Sequence, residues 1–171
     1  MFLRPQHFQQ QDRYIETLVE SRSHAAQPGA WGFSQLLIDS ALLAQGKLAI
    51  LSARGLLPDG TPFNIPENDA APAPLNVDEN LRDGIVYLAL PLRRAGIRDT
   101  VEAGESLGSA RYESSVHEGR DDNSSLESRA PVAIGSLALR LITERDGLDE
   151  HAAIGVVRVV EKREDLSLIH I

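Results

Sequence analysis

The chain has 171 residues, 25 acidic and 17 basic side chains, a formal charge of -8, 42% hydrophobic content and no cysteine. That length can bury roughly 70% of the surface an unfolded chain exposes, which suits one domain with its own core. The acidic balance excludes a general phosphate-backbone binder and so nucleic acid as a partner; the missing thiols exclude disulfides, thiolate zinc and a cysteine nucleophile.

The opening Met1-Phe2-Leu3-Arg4-Pro5-Gln6-His7 turns polar where a signal peptide needs an apolar centre, and no run approaches the roughly 20 apolar residues of a membrane helix. A soluble, cytoplasmic protein is expected. Residues 5–25 have helical texture. Pro5 suits a first helical position, Phe8, Gln11, Ile15, Leu18 and Val19 fall near one face, and Pro28-Gly29 stops the run. Residues 1–28 therefore read as a leading extended or helical segment, and residues 29–171 as a separate β body.

From Trp31 onward short apolar runs alternate with turn residues. Phe33–Ile38, Lys47–Leu57, Ile85–Leu90, Leu107–His117, Val132–Thr143 and Ile154–Lys162 read as strands. Pro58-Asp59-Gly60 has the residues of a reversing turn and predicts a hairpin with Thr61–Ile65. Pro66–Pro74, rich in proline and alanine, reads as an extended surface connection, Gly119–Ser125 as a polar loop, and Arg145–Glu150 as the tip of a last hairpin. Leu137, Leu139 and Leu141 alternate with Ala138, Arg140 and Ile142, whereas Val156–Val160 is apolar on both faces, as in a strand covered on two sides. The class is mainly β: a two-layer antiparallel β-sandwich with an N-terminal helix.

Signals for chemistry are weak. None of the five histidines, His7, His24, His117, His151 and His170, has the i,i+4 spacing of a helical metal site. Asp121-Asp122 and Asp149-Glu150 read as solvated tips, and no nucleophile elbow or phosphate loop is present. An enzyme is not expected, nor is any cofactor or metal. Arg93-Arg94 with Arg98 reads as a loop that ion-pairs with an acidic partner. Trp31 reads as a core residue near a sheet edge.

The terminal segment stands out, because Phe2, Phe8 and Tyr14 place three large aromatics in a short polar run. As a protein interface, Phe8 and Tyr14 would exclude water, Arg4 would supply a charge-assisted contact, and Gln6 and Gln10 paired amide bonds, with Pro5 and His7 completing the surface. The alternative is a terminal helix packed on its own sheet. A rival reading is a ligand- or carbohydrate-binding sandwich with Trp31, Tyr87 or Tyr112 for stacking and Asp121 and Asn123 as polar contacts.

The opening Phe2–Tyr14, with Trp31-Gly32, Leu37-Ile38-Asp39, Gly46 and Gly55-Leu56-Leu57-Pro58-Asp59-Gly60-Thr61-Pro62-Phe63, resembles the TssK (ImpJ/VasE) family, the trimeric baseplate subunit of bacterial type VI secretion. Val86–Pro91 and Ile154–Val159 are similar to that family's middle and late strands. The resemblance implies an N-terminal shoulder domain, similar in fold to the β-sandwich shoulders of phage receptor-binding proteins. It also implies docking onto the TssF and TssG wedge proteins, self-association as a trimer in the full-length protein, and contact with the membrane complex only through the missing C-terminal region. The implied location is the cytoplasmic face of the inner membrane. The interface residues named above rest on their side chains and not on a family contact map.

Overall fold

The computed structural model describes residues 12, 15, 16, 19, 29–77, 83–120, 129–162 and 167–170. Asp12, Ile15, Glu16 and Val19 are helical. The body then runs β1 (Gly32–Ile38), α1 (Ser40–Ala44), β2 (Lys47–Leu48), β3 (Ile50–Leu56), β4 (Pro62–Ile65), β5 (Leu75–Asn76), β6 (Gly84–Pro91), β7 (Thr100–Glu102), β8 (Tyr112–Arg120), β9 (Arg129–Leu137), β10 (Arg140–Thr143), a 3-10 turn at Leu148–Glu150, β11 (His151–Lys162) and β12 (Ser167–His170).

Two main sheets make an open sandwich, one ordered β1-β3-β4 and the other β10-β6-β11-β12; β2-β5 and β7-β8-β9 form smaller sheets. One core joins the main sheets. Leu48, Ile50, Leu57, Phe63 and Ile65 pack with Val86, Leu88, Leu90, Ile154 and Val159, all nearly solvent-free. Burying an aliphatic or Phe side chain of this size stabilises by about 1.5–3 kcal/mol, so a low aromatic content is no obstacle to a stable core.

Several expectations are corrected. Lys47–Leu57 is two strands, because Ala49 turns its carbonyl to the Asp39 amide at 3.0 Å and the chain changes sheets there. Between β1 and β2 lies an unpredicted helix, α1, capped by Asp39, whose Oδ1 accepts from the Ala41 and Leu42 amides at 2.8 and 3.0 Å. Leu107–His117 contains strand only from Tyr112, and Gly119 and Arg120 extend that strand into the expected loop. Val132–Thr143 breaks at Ala138-Leu139: β9 pairs with β8, whereas β10 pairs with β6, so both faces near the break are buried.

Arg145–Glu150 does not tip a hairpin. β10 and β11 flank β6 on opposite sides and are both antiparallel to it, so the connection crosses over β6. Every pairing in the two main sheets is antiparallel, as expected, and the parallel pair β7–β8 lies in a smaller sheet. Pro66–Pro74 is not purely a surface run, because Asp69 and Pro72 are buried.

The doubly apolar stretch of β11 has a different cause from two-sided cover. The register passes from Gly155 opposite Tyr87 to Val157 opposite Val86, leaving Val156 as an extra residue. That bulge resets the alternation. Ala152, Ile154 and Val156 point inward before it and Val157 and Val159 after it, while Val160 is exposed.

Candidate protein-docking surface

The Pro58-Asp59-Gly60 turn forms the expected hairpin, with Leu56 opposite Pro62. Asp59 Oδ1 accepts from the Thr61 amide at 3.1 Å, and Gly60 takes φ 81, which favours glycine. The other carboxylate oxygen does more. Asp59 Oδ2 accepts at 2.9 Å from Nη2 of Arg111, a buried side chain that also donates to the Thr61 hydroxyl at 2.9 Å and to the Pro91 carbonyl at 2.6 Å. Its Nη1 and Nη2 meet the acceptors that burial of a guanidinium demands, while its buried Nε has no hydrogen-bond partner among the described residues. The guanidinium fixes the β3–β4 turn to the end of β6 and the start of β8.

The glycines of the same stretch hold the hairpin against β1. A side chain at Gly55 would strike the Gly32 carbonyl and come within 2.8 Å of the Phe63 ring, so only glycine lets these strands close. Phe33 and Phe63 then meet edge to face with centroids 5.6 Å apart. Beside them an open groove of about 740 Å³ runs from Gly29–Ser34 across Arg54–Leu56 and Pro62–Asn64 to Asn68 and Asp69. Asp69 is buried, and each of its carboxylate oxygens accepts a backbone amide, one from Asn64 at 3.0 Å and the other from Leu137 at 3.1 Å. The Asn64 carbonyl in turn accepts from the amides of Asn68 and Asp69, which caps the outer edge of β4 at that residue.

Trp31 lines this groove and is 51% exposed, a correction to its expected place in the core. Arg54 is exposed on β3, in register with Gln35 of β1 and Asn64 of β4, and its guanidinium has no hydrogen-bond or ion-pair partner among the described residues.

The interface residues singled out in the sequence, Arg4, Pro5, Gln6, His7, Phe8, Gln10 and Tyr14, lie outside the described residues. Their helical neighbours Ile15 and Val19, one turn apart, are 47% and 58% exposed. Glu16 accepts from Arg93 at 3.0 Å, tying the helix to the loop after β6, and Arg93 also meets Asp99 at 3.4 Å. Burial works against the charge on Arg93, but the bond and charge of Glu16, with Tyr112 and Asp99 adding, hold the guanidinium above its ordinary value. The other loop cations are paired within the chain as well, Arg94 with Glu150 and Arg98 with Glu105, both at 3.3 Å. The acidic partner expected for this loop is therefore the chain itself.

The stacking residues of the rival reading are dispersed. Trp31 precedes β1, Tyr87 sits in β6 with its hydroxyl donating to Glu144 at 3.3 Å, and Tyr112 opens β8 against the core. Burial and then the Glu144 charge raise the Tyr87 pKa. Asp121 and Asn123 lie outside the described residues. Among the described residues no three His, Asp or Glu side chains converge in a metal-ligating group. His151 Nδ1 lies 2.8 Å from the Gly147 carbonyl, where it braces the crossover before β11. No helix among the described residues is long and apolar enough to cross a membrane.

Comparison with known proteins agrees with this architecture. The family described as bacterial type VI secretion, VC_A0110, EvfL, ImpJ, VasE, matches residues 7–169. The type VI secretion system baseplate component TssK1 of Pseudomonas aeruginosa is 71% identical over 168 residues, covering 98% of this chain and 38% of that protein. A crystal structure of TssK superposes with a TM-score of 0.90 at 42% identity, over 98% of this chain and 39% of that one. In a cryo-electron microscopy structure of a TssK-TssF-TssG baseplate subcomplex, one chain shares the fold at a TM-score of 0.85 and 23% identity, over 99% of this chain and 57% of its own length. The chain thus spans about two fifths of the TssK1 relative, and it belongs to the TssK (ImpJ/VasE) family of bacterial type VI secretion proteins.

Proposed function

We propose that this chain is the baseplate-docking part of a TssK subunit: a structural adaptor, not an enzyme, that seats the subunit on TssF and TssG wedge proteins. The observation that supports it most is high identity to a baseplate component across almost the whole chain, joined to a fold shared with the TssK-TssF-TssG subcomplex. Contact through Arg4, Pro5, Gln6, His7, Phe8, Gln10 and Tyr14 is supported by the helical residues just beyond them, where Ile15 and Val19 turn apolar surface to solvent. In this reading residues 1–28 form the leading contact segment and residues 29–171 the body that positions it. The full-length protein forms a trimer at the cytoplasmic face of the inner membrane and meets the membrane complex through the portion of a TssK protein that this chain does not span.

Co-purification of the full-length subunit with TssF and TssG, with and without residues 1–20, tests the proposal alongside mass measurement of the free subunit. The intact subunit is expected to capture the pair, and the deletion to weaken capture more than it lowers melting temperature. Equal capture by the shortened protein removes the leading segment from the interface. An intact subunit that captures neither protein overturns the docking role.

A further inference from the structure

Among the described residues, Arg93, Arg94, Arg98, Arg111 and Arg158 each lie within 3.3 Å of a carboxylate, and Arg54 and Arg145 are exposed to water. Arg140 has neither kind of support. Its Nη1 donates to the Gly108 carbonyl at 2.9 Å, whereas Nε and Nη2 are closed off from solvent and have no hydrogen-bond partner among the described residues. Burial lowers its pKa below the ordinary value.

Register fixes where this side chain stands. Arg140 opens β10, an edge strand of the β10-β6-β11-β12 sheet, and lies opposite Ala89 of β6, which lies opposite Ala153 of β11. The adjoining residues Leu141, Leu88 and Ile154 fill the core, so alternation sends Arg140, Ala89 and Ala153 to the outer face of the sheet. Two small side chains therefore lead across that face to a cation with two unused donors.

We infer that Arg140 is the seat of an Asp or Glu carboxylate from the part of the same TssK subunit beyond residue 171, which packs on the outer face of the main sheet. Chemistry selects the group, because Nε and Nη2 of one guanidinium can hold both oxygens of a carboxylate. Solvation selects a permanent neighbour: hiding guanidinium donors without acceptors is unfavourable, and a partner that comes and goes would leave that penalty in the free subunit. The path of the chain selects its own continuation. This chain covers 38% of the TssK1 relative, so most of a subunit remains to be packed. β12 runs back along β11 from Lys162 toward Arg158, in the direction of Ala153 and the row that ends at Arg140. At roughly 3.3 Å per residue, an extended continuation reaches that row within about 20 Å. The inference rests on the chain being part of a longer TssK subunit and not on its docking role.

The test uses the full-length subunit, alone and co-expressed with TssF and TssG. In Arg140→Lys the new amine couples to an adjacent carboxylate under carbodiimide, and mass spectrometry of the digest is expected to join position 140 to an Asp or Glu beyond residue 171 within one copy. Arg140→Met is expected to lower the melting temperature by about 5 °C, because the seated carboxylate loses its cation, and Arg140→Lys by less. If water meets the two donors instead, Arg140→Met melts at or above the parent, which overturns the assignment. A link to an acid within residues 1–171, a link that doubles the denatured mass, or no link at position 140 overturns it as well. A link to TssF or TssG alone makes the wedge the occupant, which overturns the assignment and leaves the docking role standing. A parent that captures neither wedge protein overturns the docking role and leaves this inference standing.

Discussion

Asp59 and Arg111 stand 52 residues apart in sequence and share a 2.9 Å ion-paired hydrogen bond inside the sandwich. The turn aspartate thus serves two purposes, ordering its own hairpin through Thr61 and neutralising a cation that would otherwise be stranded. Asp59→Ala is expected to cost about 3 kcal/mol, because it leaves a buried guanidinium without its counter-charge and removes the turn bond as well. Combining it with Arg111→Met is expected to recover part of that loss. Urea titrations of the two single variants and the double variant measure the coupling. Strictly additive losses would show that the pair contributes nothing.

Gly55→Ala is expected to destabilise by about 1–3 kcal/mol, since the new methyl group meets the Gly32 backbone and the Phe63 ring, and neither can retreat without opening the β1–β3–β4 sheet. Gly135→Ala is the matched control. Its Cβ would lie 3.4 Å from the Tyr112 Cβ, close to ordinary contact, and a strand position gains from losing glycine. Thermal melting that ranks the two variants equally would remove the close-approach argument.

Much of this architecture could be read from residues alone, and the failures have local causes. The Pro58-Asp59-Gly60 hairpin was legible because its turn chemistry is written in three adjacent residues. Helix α1 was hidden by its five-residue length: Asp39 and Gly46 bracket it as cap and stop, but so short a segment shows no period. The Val156 bulge disguised a one-sided strand as a two-sided one, and the break at Ala138-Leu139 joined two strands of different sheets into one apolar run. At the candidate site, Trp31-Gly32 and Gly55–Phe63 stood out in the sequence and come together in space. Arg54 and Arg111 did not stand out, because a single arginine in a strand looks the same whether it is free in a groove or locked in the core.

Asp69 links the β1-β3-β4 sheet to the smaller β7-β8-β9 sheet without belonging to either. Its carboxylate takes the Asn64 amide of β4 and the Leu137 amide at the end of β9, so Asp69→Ala strands two backbone donors at once. A loss of about 2–4 kcal/mol is expected, from roughly 1–2 kcal/mol for each donor. Hydrogen exchange reads the effect locally: protection at the Leu137 amide should fall more than protection in β6. Uniform loss across both strands would place the effect in global unfolding alone.

Acid sensitivity has an identifiable contributor at the β10 end. Asp146 Oδ2 accepts from the Thr143 amide at 2.8 Å and the Thr143 hydroxyl at 2.7 Å, and these bonds, led by the amide, hold its pKa below the ordinary value of 3.8 despite some burial. The unfolded chain then binds this proton more readily than the folded one. The stabilisation is complete above the ordinary carboxylate value and is lost as pH falls through it toward the depressed one. Asp146→Asn is expected to melt below the parent at neutral pH by an amount that stays constant down to about pH 5 and narrows below about pH 4. A gap that persists unchanged into acid would assign the loss to the altered hydrogen bonds and not to the charge.

The Glu16–Arg93 pair is half open to solvent, with side chains 54% and 40% exposed, so its worth to global stability is under about 1 kcal/mol. Its consequence is positional, because it is the ion pair that ties the leading helix to the loop after β6 among the described residues. Arg93→Ala should therefore leave the melting temperature of the body almost unchanged while increasing amide exchange around residues 12–19. Arg93→Lys should restore part of the protection, since the charge survives but the guanidinium geometry that also reaches Asp99 does not. Exchange that is indifferent to both substitutions would mean that Glu16 merely neighbours Arg93 and that the pair does not hold the helix.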